Sequence, residues 1–318
     1  MNITLLILTG IIIILIIAEV SLRQFFGFGN PLLYIADTQI GYLLAPSQQT
    51  RRFGNQIIIN RYSMRSLEIT PTRPEATLRI LMLGDSIANG GWWTDQHNIL
   101  SALLQCQLQS EIAATRYQHI EVLNASANSW APRNELAYLQ KFGTFDAQII
   151  LQIINTDDLF GTAPSSVVVG RDRNYPDRKP PFAITEVITR YVTKPKPIPE
   201  LEAVQKEGGD RVGLNLEAIG QIQTIATQTN AQFLLALTPL LREIGEPGSR
   251  DYETKARHRL SQFTQDRQIP FIDFLPIFNP IANPSTLYRD HIHLSSKGNR
   301  QVVQSLVGKV RDSLKDEA

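Results

Sequence analysis

The 318 residues are 43% hydrophobic and 19% charged, enough apolar material to bury a full globular core. A formal net charge of +1 gives no general case for nucleic acid or for a strongly acidic partner. Cys106 is the single cysteine, which excludes an intramolecular disulfide and any cysteine-based metal cluster within one chain.

The chain opens on NITLLILTGIIIILIIAEVSL, residues 2–22, with one charge, Glu19, near its end. About 20 helical residues at 1.5 Å each span roughly 30 Å, the hydrocarbon thickness of a bilayer. No basic stretch precedes the run and no small-residue cleavage site is obvious, so residues 1–24 read as an uncleaved single-pass anchor. A cleaved signal peptide and a buried core helix are the alternatives. No Lys or Arg precedes the span and Arg23 follows it, a count that by itself leans against export of the body.

Residues 25–75 include NPLLYIADTQIGYLLAPSQQTRRFGNQIIINRYSMRS and read as a short β-containing lead-in. From residue 76 to 318 the texture becomes regular. Residues 78–83, 120–123, 147–154, 232–237 and 270–273 are short, nearly continuous apolar runs. Helical patterns alternate with them at about 98–110, 134–142, 214–229, 252–266 and 296–314. Strands apolar on both faces and alternating with helices predict an α/β fold with a parallel sheet covered on both sides. The interval 161–213 breaks the rhythm with Pro164, Pro176, Pro180, Pro181, Pro195, Pro197 and Pro199 among many Arg and Lys residues. It reads either as an insertion over the sheet edge, acting as a lid, or as a solvated loop without chemistry.

Ligands of an open parallel sheet gather at the carboxyl ends of its strands. Gly84-Asp85-Ser86 stands at the first such end. Asn124, Ser126 and Ser129 follow the second, Asn155, Thr156, Asp157 and Asp158 the third, and Asp290, His291 and His293 lie beyond the fifth. The set suits acyl transfer. A serine hydroxyl needs a base to become a nucleophile, and histidine titrates near neutral pH. Ser86 and His293 fill those roles, and Asp290, three residues earlier, can curl back to fix the histidine's tautomer. Oxyanion donors are sought in the backbone N–H groups of Ser86 and Ser129 and in a side chain from the third strand end.

These stretches resemble the four sequence blocks of the GDSL-type, or SGNH, hydrolases, across residues 78 to about 305. GDS is the nucleophile block, NASANS is similar to the second, INTDD stands where G-x-N-D is expected, and DHIH before LSSKG is the D-x-x-H block. The resemblance implies a flavodoxin-like three-layer α/β/α sandwich and hydrolysis of esters, including acyl groups on lipids or glycans. The anchor followed by Asn60-x-x-x-x-Arg65 is similar to membrane-tethered bacterial members, which implies a catalytic domain on the outer, periplasmic or extracellular, side, against the charge count.

Two blocks depart from the pattern. The second-block glycine is Ser129, which keeps a backbone N–H only if serine holds the required φ and ψ. The third-block asparagine is Asp157, and an ionised carboxylate would repel an oxyanion. Asn155 is then the alternative amide donor, against a plain turn asparagine bonded to its own backbone. Asp85 and Asp158 read as acceptors for backbone N–H groups. His291-x-His293 beside Asp290 hints at a metal, but the remaining histidines lie elsewhere, so neither metal nor cofactor is expected. Trp92 and Trp93 read either as pocket walls or as packing.

The expected function is a membrane-anchored serine esterase acting on a small acyl ester, such as O-acetyl on an envelope glycan or lipid. A glycan O-acetyltransferase with a similar site is the near alternative. A weakened domain that binds glycan or lipid without turnover is another, and a metal-dependent phosphoesterase is a distant one.

Overall fold

The computed structural model describes residues 3–112 and 117–315. Its apolar N-terminal run is helix α1 (Ile3–Ser21), extended by a π-turn over Leu22–Phe26 and ended at Gly27 with φ +74°. A Cβ at Gly27 would lie 1.9 Å from the carbonyl oxygen of Arg51, so only glycine turns the chain there. No residue of α1 is buried, and the helix is long and apolar enough to cross a bilayer, a length and composition shared with signal sequences.

Two antiparallel hairpins follow. β1 (Tyr34–Asp37) pairs with β2 (Gly41–Leu44), and β3 (Gln48–Arg52) pairs with β4 (Asn55–Ile59). Phe53 and Gly54, both at positive φ, form the two-residue turn between β3 and β4. Ile40, Leu44, Ile57 and Ile59 share one buried cluster with Leu81, Leu83 and Trp130, so the lead-in joins the core of the sheet.

That sheet is wholly parallel. β5 (Thr77–Gly84), β6 (His119–Ser126), β7 (Ile149–Asn155), β8 (Gln232–Thr238) and β9 (Phe271–Asp273) lie side by side in the order β6-β5-β7-β8-β9. In chain order this is 2-1-3-4-5, the flavodoxin-like arrangement, whose crevice lies between the first and third strands. Alternation along β5 divides the core. Leu78, Ile80 and Met82 face α3 (Leu100–Ile112) and α10 (Ser296–Lys315), whereas Leu81 and Leu83 face α4 (Pro132–Phe142), α7 (Arg211–Gln228) and α8 (Asp251–Asp266). After β9 come the short helix α9 (Leu275–Phe278) and then α10, whose Val302, Val303, Leu306, Val307 and Val310 form a buried stripe at helical spacing. Each predicted strand and helix is present, with ends moved by at most three residues.

Residues 161–213 carry two short helices, α5 (Ala183–Val187), which runs on as a π-turn over Ile188–Val192, and α6 (Pro199–Gln205). This stretch is bonded to the lead-in and to the end of α1. The Tyr34 N–H donates to the Pro176 carbonyl at 2.8 Å. Glu19, the one charge of the apolar run, accepts the N–H groups of Ala183 (2.8 Å) and Ile184 (3.1 Å), which tethers the N-terminus of α5 to α1.

Candidate active site

β5 ends at Gly84, where a Cβ would sit 2.7 Å from both the Ile153 carbonyl oxygen and the Ala88 Cβ. Glycine therefore lets the chain turn straight from β5 into the short helix α2 (Ser86–Asn89). Asp85 caps that helix, its Oδ1 accepting the Ile87 N–H at 2.7 Å. Ser86 is thereby held at the first helical position, 8% exposed, with Oγ 3.0 Å from His293 Nε2.

His293 arrives from a turn before α10. Asp290 Oδ1 accepts the N–H groups of Ile292 (3.0 Å) and His293 (2.8 Å), and its Oδ2 lies 2.8 Å from His293 Nδ1. The three-residue spacing thus folds the carboxylate back onto the ring. Partial burial would raise the Asp290 pKa, but the two N–H groups and the imidazole hold it below the usual carboxylate range. An ionised carboxylate only accepts, so Nδ1 carries the ring proton and Nε2 presents its lone pair to Ser86.

Ser129 follows β6 with φ +59°, the conformation glycine adopts cheaply and serine holds at about 1–2 kcal/mol. Its Oγ accepts the Tyr175 hydroxyl at 3.0 Å, and Tyr42 donates to the neighbouring Asn128 carbonyl at 2.6 Å. Ser129 lines the same cavity as Ser86 and His293.

The third strand end departs from the expected side-chain donor. Asn155 Nδ2 donates to Asp85 Oδ2 at 2.8 Å and to Asp158 Oδ2 at 2.9 Å, so its amide is committed beneath the site and not offered to an oxyanion. Its Oδ1 accepts the Asp157 N–H at 2.7 Å, capping the 3-10 turn Thr156–Phe160. Asp157 is correspondingly absent from the lining of the Ser86 cavity. Partial burial raises its carboxyl, with Arg242 opposing and Glu253 and Glu243 adding to the shift.

Beneath Ser86 lies a buried acidic layer. Burial pushes Asp85 up to about 6, with the Ile87 N–H, the nearby His293 ring and the Ser86 hydroxyl opposing. Burial and the neighbouring Asp85 charge push Asp158 well above its ordinary value, and burial, opposed by the Gln152 amide and aided by the Asp85 charge, takes Glu135 to about 8. His291 is exposed, and among the described residues no group of His, Cys, Asp and Glu is gathered for a metal ion.

A cavity of about 500 Å³ opens over Ser86. Trp92 and Trp93 line it from the Gly90–Thr94 turn, the Trp93 ring 4.3 Å from that of His293. Arg65, fully buried, fixes the turn by donating to the carbonyls of Asn89, Gly91 and Thr94. Burial pulls its pKa down to about 9. The opposite wall comes from the lead-in (Phe28, Tyr34, Arg52, Phe53) and from residues 161–213 (Arg173, Tyr175, Arg190, Tyr191). Sequence reasoning missed this wall; its one signal was the Arg-rich character of the inserted stretch.

A family model for the GDSL-like lipase/acylhydrolase family matches residues 82–301, from β5 into α10. The chain belongs to the GDSL-like lipase/acylhydrolase family. It is an enzyme that hydrolyses acyl esters. Among curated proteins none matches. Similar solved structures include LAE5, an alpha/beta hydrolase enzyme from the metagenome of Lake Arreo, Spain (13% identity, 73% of this chain and 94% of that one, TM-score 0.47). Others are a catalytic mutant of Axe2, an acetylxylan esterase from Geobacillus stearothermophilus (12% identity, 73% and 93%, TM-score 0.47), and the acetyl xylan esterase AlAXEase (13% identity, 74% and 98%, TM-score 0.46).

Proposed function

We propose that this GDSL-like acylhydrolase is a membrane-anchored serine esterase in which Ser86 attacks a small acyl ester carried by a glycan or a lipid. The observation that carries the reading is the continuous relay Ser86 Oγ–His293 Nε2 (3.0 Å) and His293 Nδ1–Asp290 Oδ2 (2.8 Å) inside a cavity at the carboxyl end of the sheet. As Oγ bonds to the ester carbonyl carbon, its proton passes to Nε2 and Asp290 stabilises the imidazolium. The backbone N–H groups of Ser86 and Ser129 serve the oxyanion, a role that needs no side chain from Asp157 or Asn155. His293 then returns the proton to the departing alcohol, and a water repeats the sequence in reverse to release the acid.

Residues 1–24 act as the anchor and 25–318 as the catalytic body on the outer side of the membrane. Supporting a site close to the bilayer are the Glu19 tether between α1 and α5 and the exposed Phe25, Phe182, Ile188, Tyr191 and Val192 beside it.

The test is turnover of a short aryl acetate by the full chain purified in detergent, with Ser86→Ala as control. Hydrolysis that disappears in the variant is expected. Near wild-type hydrolysis by Ser86→Ala would remove the serine mechanism, and acetyl transfer to an added sugar outpacing release of acetate would replace hydrolase by transferase.

A further inference from the structure

The cavity at Ser86 carries charge of one sign. Arg52, Arg173 and Arg190 line it, and no aspartate or glutamate among the described residues does. Behind them Glu186 pairs with both Arg52 and Arg190 and also accepts the Gly29 N–H at 2.6 Å. One carboxylate therefore faces two guanidinium groups. Arg173 donates from Nη1 to the Arg190 carbonyl at 2.6 Å and has no carboxylate partner among the described residues.

Arg52 is the most telling of the three. It is 6% exposed, its guanidinium lies 4.4 Å over the Phe28 ring, and its Nη1 is buried without a hydrogen-bond partner among the described residues. Such a donor left unmade costs about 1–3 kcal/mol, more for a charged group. Burial lowers the Arg52 pKa and Glu186 raises it again. The guanidinium fork matches the paired oxygens of a carboxylate or phosphate.

Resting on the esterase reading above, we propose that Arg52, Arg190 and Arg173 form an anion subsite for an oxyanion group borne by the acylated substrate. The substrate class is then an acyl ester on an anionic glycan or lipid headgroup, with the ester at Ser86 and the negative charge at the far wall. A cavity of this size holds a sugar-sized molecule with its substituents.

Two matched pairs of substrates test this on the full chain in neutral detergent. One pair is O-acetyl glucuronate and its neutral methyl ester, and the other is acetylglycerol phosphate and acetylglycerol. Within at least one pair kcat/KM should favour the charged member by about tenfold or more. Arg52→Gln and Arg190→Gln should each bring that ratio toward one, chiefly through KM. The pair that responds tells a carboxylate from a phosphate source. A ratio near one in both pairs for the wild type, or a ratio unchanged in both variants, would overturn the subsite while leaving the esterase intact. Should Arg52→Gln fail to fold, Arg190→Gln decides, since that side chain is already 20% exposed. Trp92 and Trp93 supply a readout independent of turnover. Saturable fluorescence change with glucuronate or inorganic phosphate, absent with glucose, is expected even if no ester is hydrolysed, and its absence with both anions would overturn the subsite.

Discussion

The proposed reacting groups and the cavity walls around them are built by different means. Asp290 and His293 meet through bonds spanning three residues, and Asp85 caps the helix that Ser86 begins. The wall is assembled over long range: Arg52 in β3 meets Glu186 in α5, Tyr175 meets Ser129, and Arg65 reaches the turn that carries Trp92 and Trp93. Each of these groups is thus aimed by its own short motif, with the fold bringing Ser86 and His293 together across 207 residues, whereas the shape and charge of the cavity depend on how distant segments dock. The two can change separately, which makes the division testable.

The largest effect is expected on the locally built side. His293→Ala should lower turnover of a short aryl acetate on the order of 10⁴-fold or more, because nucleophile and base act as a unit. Asp290→Asn should cost about 10²- to 10⁴-fold, since it orients the base and does not react. Steady-state kinetics of both variants, with circular dichroism to confirm the fold, check this.

Arg65 probes whether the wall stands apart from the reacting groups. Arg65→Met strips the carbonyls of Asn89, Gly91 and Thr94 of their buried donor, at about 3 kcal/mol or more. For a chain of this size that is a fall in Tm of about 5 °C. In protein kept folded by cooling, KM should rise more than kcat falls, because the displaced residues are Trp92 and Trp93. An equal loss in kcat would show the two regions to be coupled.

How much of this was legible in sequence follows the same division. The strands could be read because each is apolar on both faces, and the Asp290–His293 contact because a turn of that spacing brings the two together. At the third strand end the turn-asparagine reading of Asn155 agrees with its bond to the Asp157 N–H, whereas its bridge to Asp85 and Asp158 has no local signal, since Asp85 stands at another strand end. Arg52, Tyr175 and Arg190 could not be placed, since nothing local to β3 or to residues 161–213 reveals that they face Ser86. That Ser129 stands in a glycine position is legible from its block, and the structure gives it the φ of +59° that such a position requires.

The acidic layer under Ser86 predicts a moderate effect. Glu135 titrates near 8 when folded against 4.5 as a free side chain, so between those values the native state holds a proton that the unfolded chain releases. Stability is therefore fully present at the acid end of that window and falls as pH rises through it. Asp85, raised to about 6, acts in the same sense. Thermal melts from pH 5 to 9 should show a falling Tm, and Glu135→Gln should flatten part of the fall, the rest belonging to Asp85 and Asp158.

The smallest effect is expected at Ser129. Ser129→Gly relieves the positive φ but loses the Tyr175 hydrogen bond, leaving stability within about 1 kcal/mol. Activity should stay within a few-fold, because the proposed donor is the backbone N–H. Ser129→Ala keeps the strain and loses the bond, so it should melt lower than Ser129→Gly.

The most direct measurement of the reacting geometry is labelling of the full chain by a fluorophosphonate, with the modified residue located by mass spectrometry. Such a probe is captured by a serine whose proton is taken by a positioned base. Stoichiometric labelling of Ser86, slowed in Asp290→Asn and lost in His293→Ala, is the expected result. An unlabelled Ser86, or a labelling rate the same in His293→Ala as in the wild type, would contradict the assignment of Ser86 and His293 as nucleophile and base.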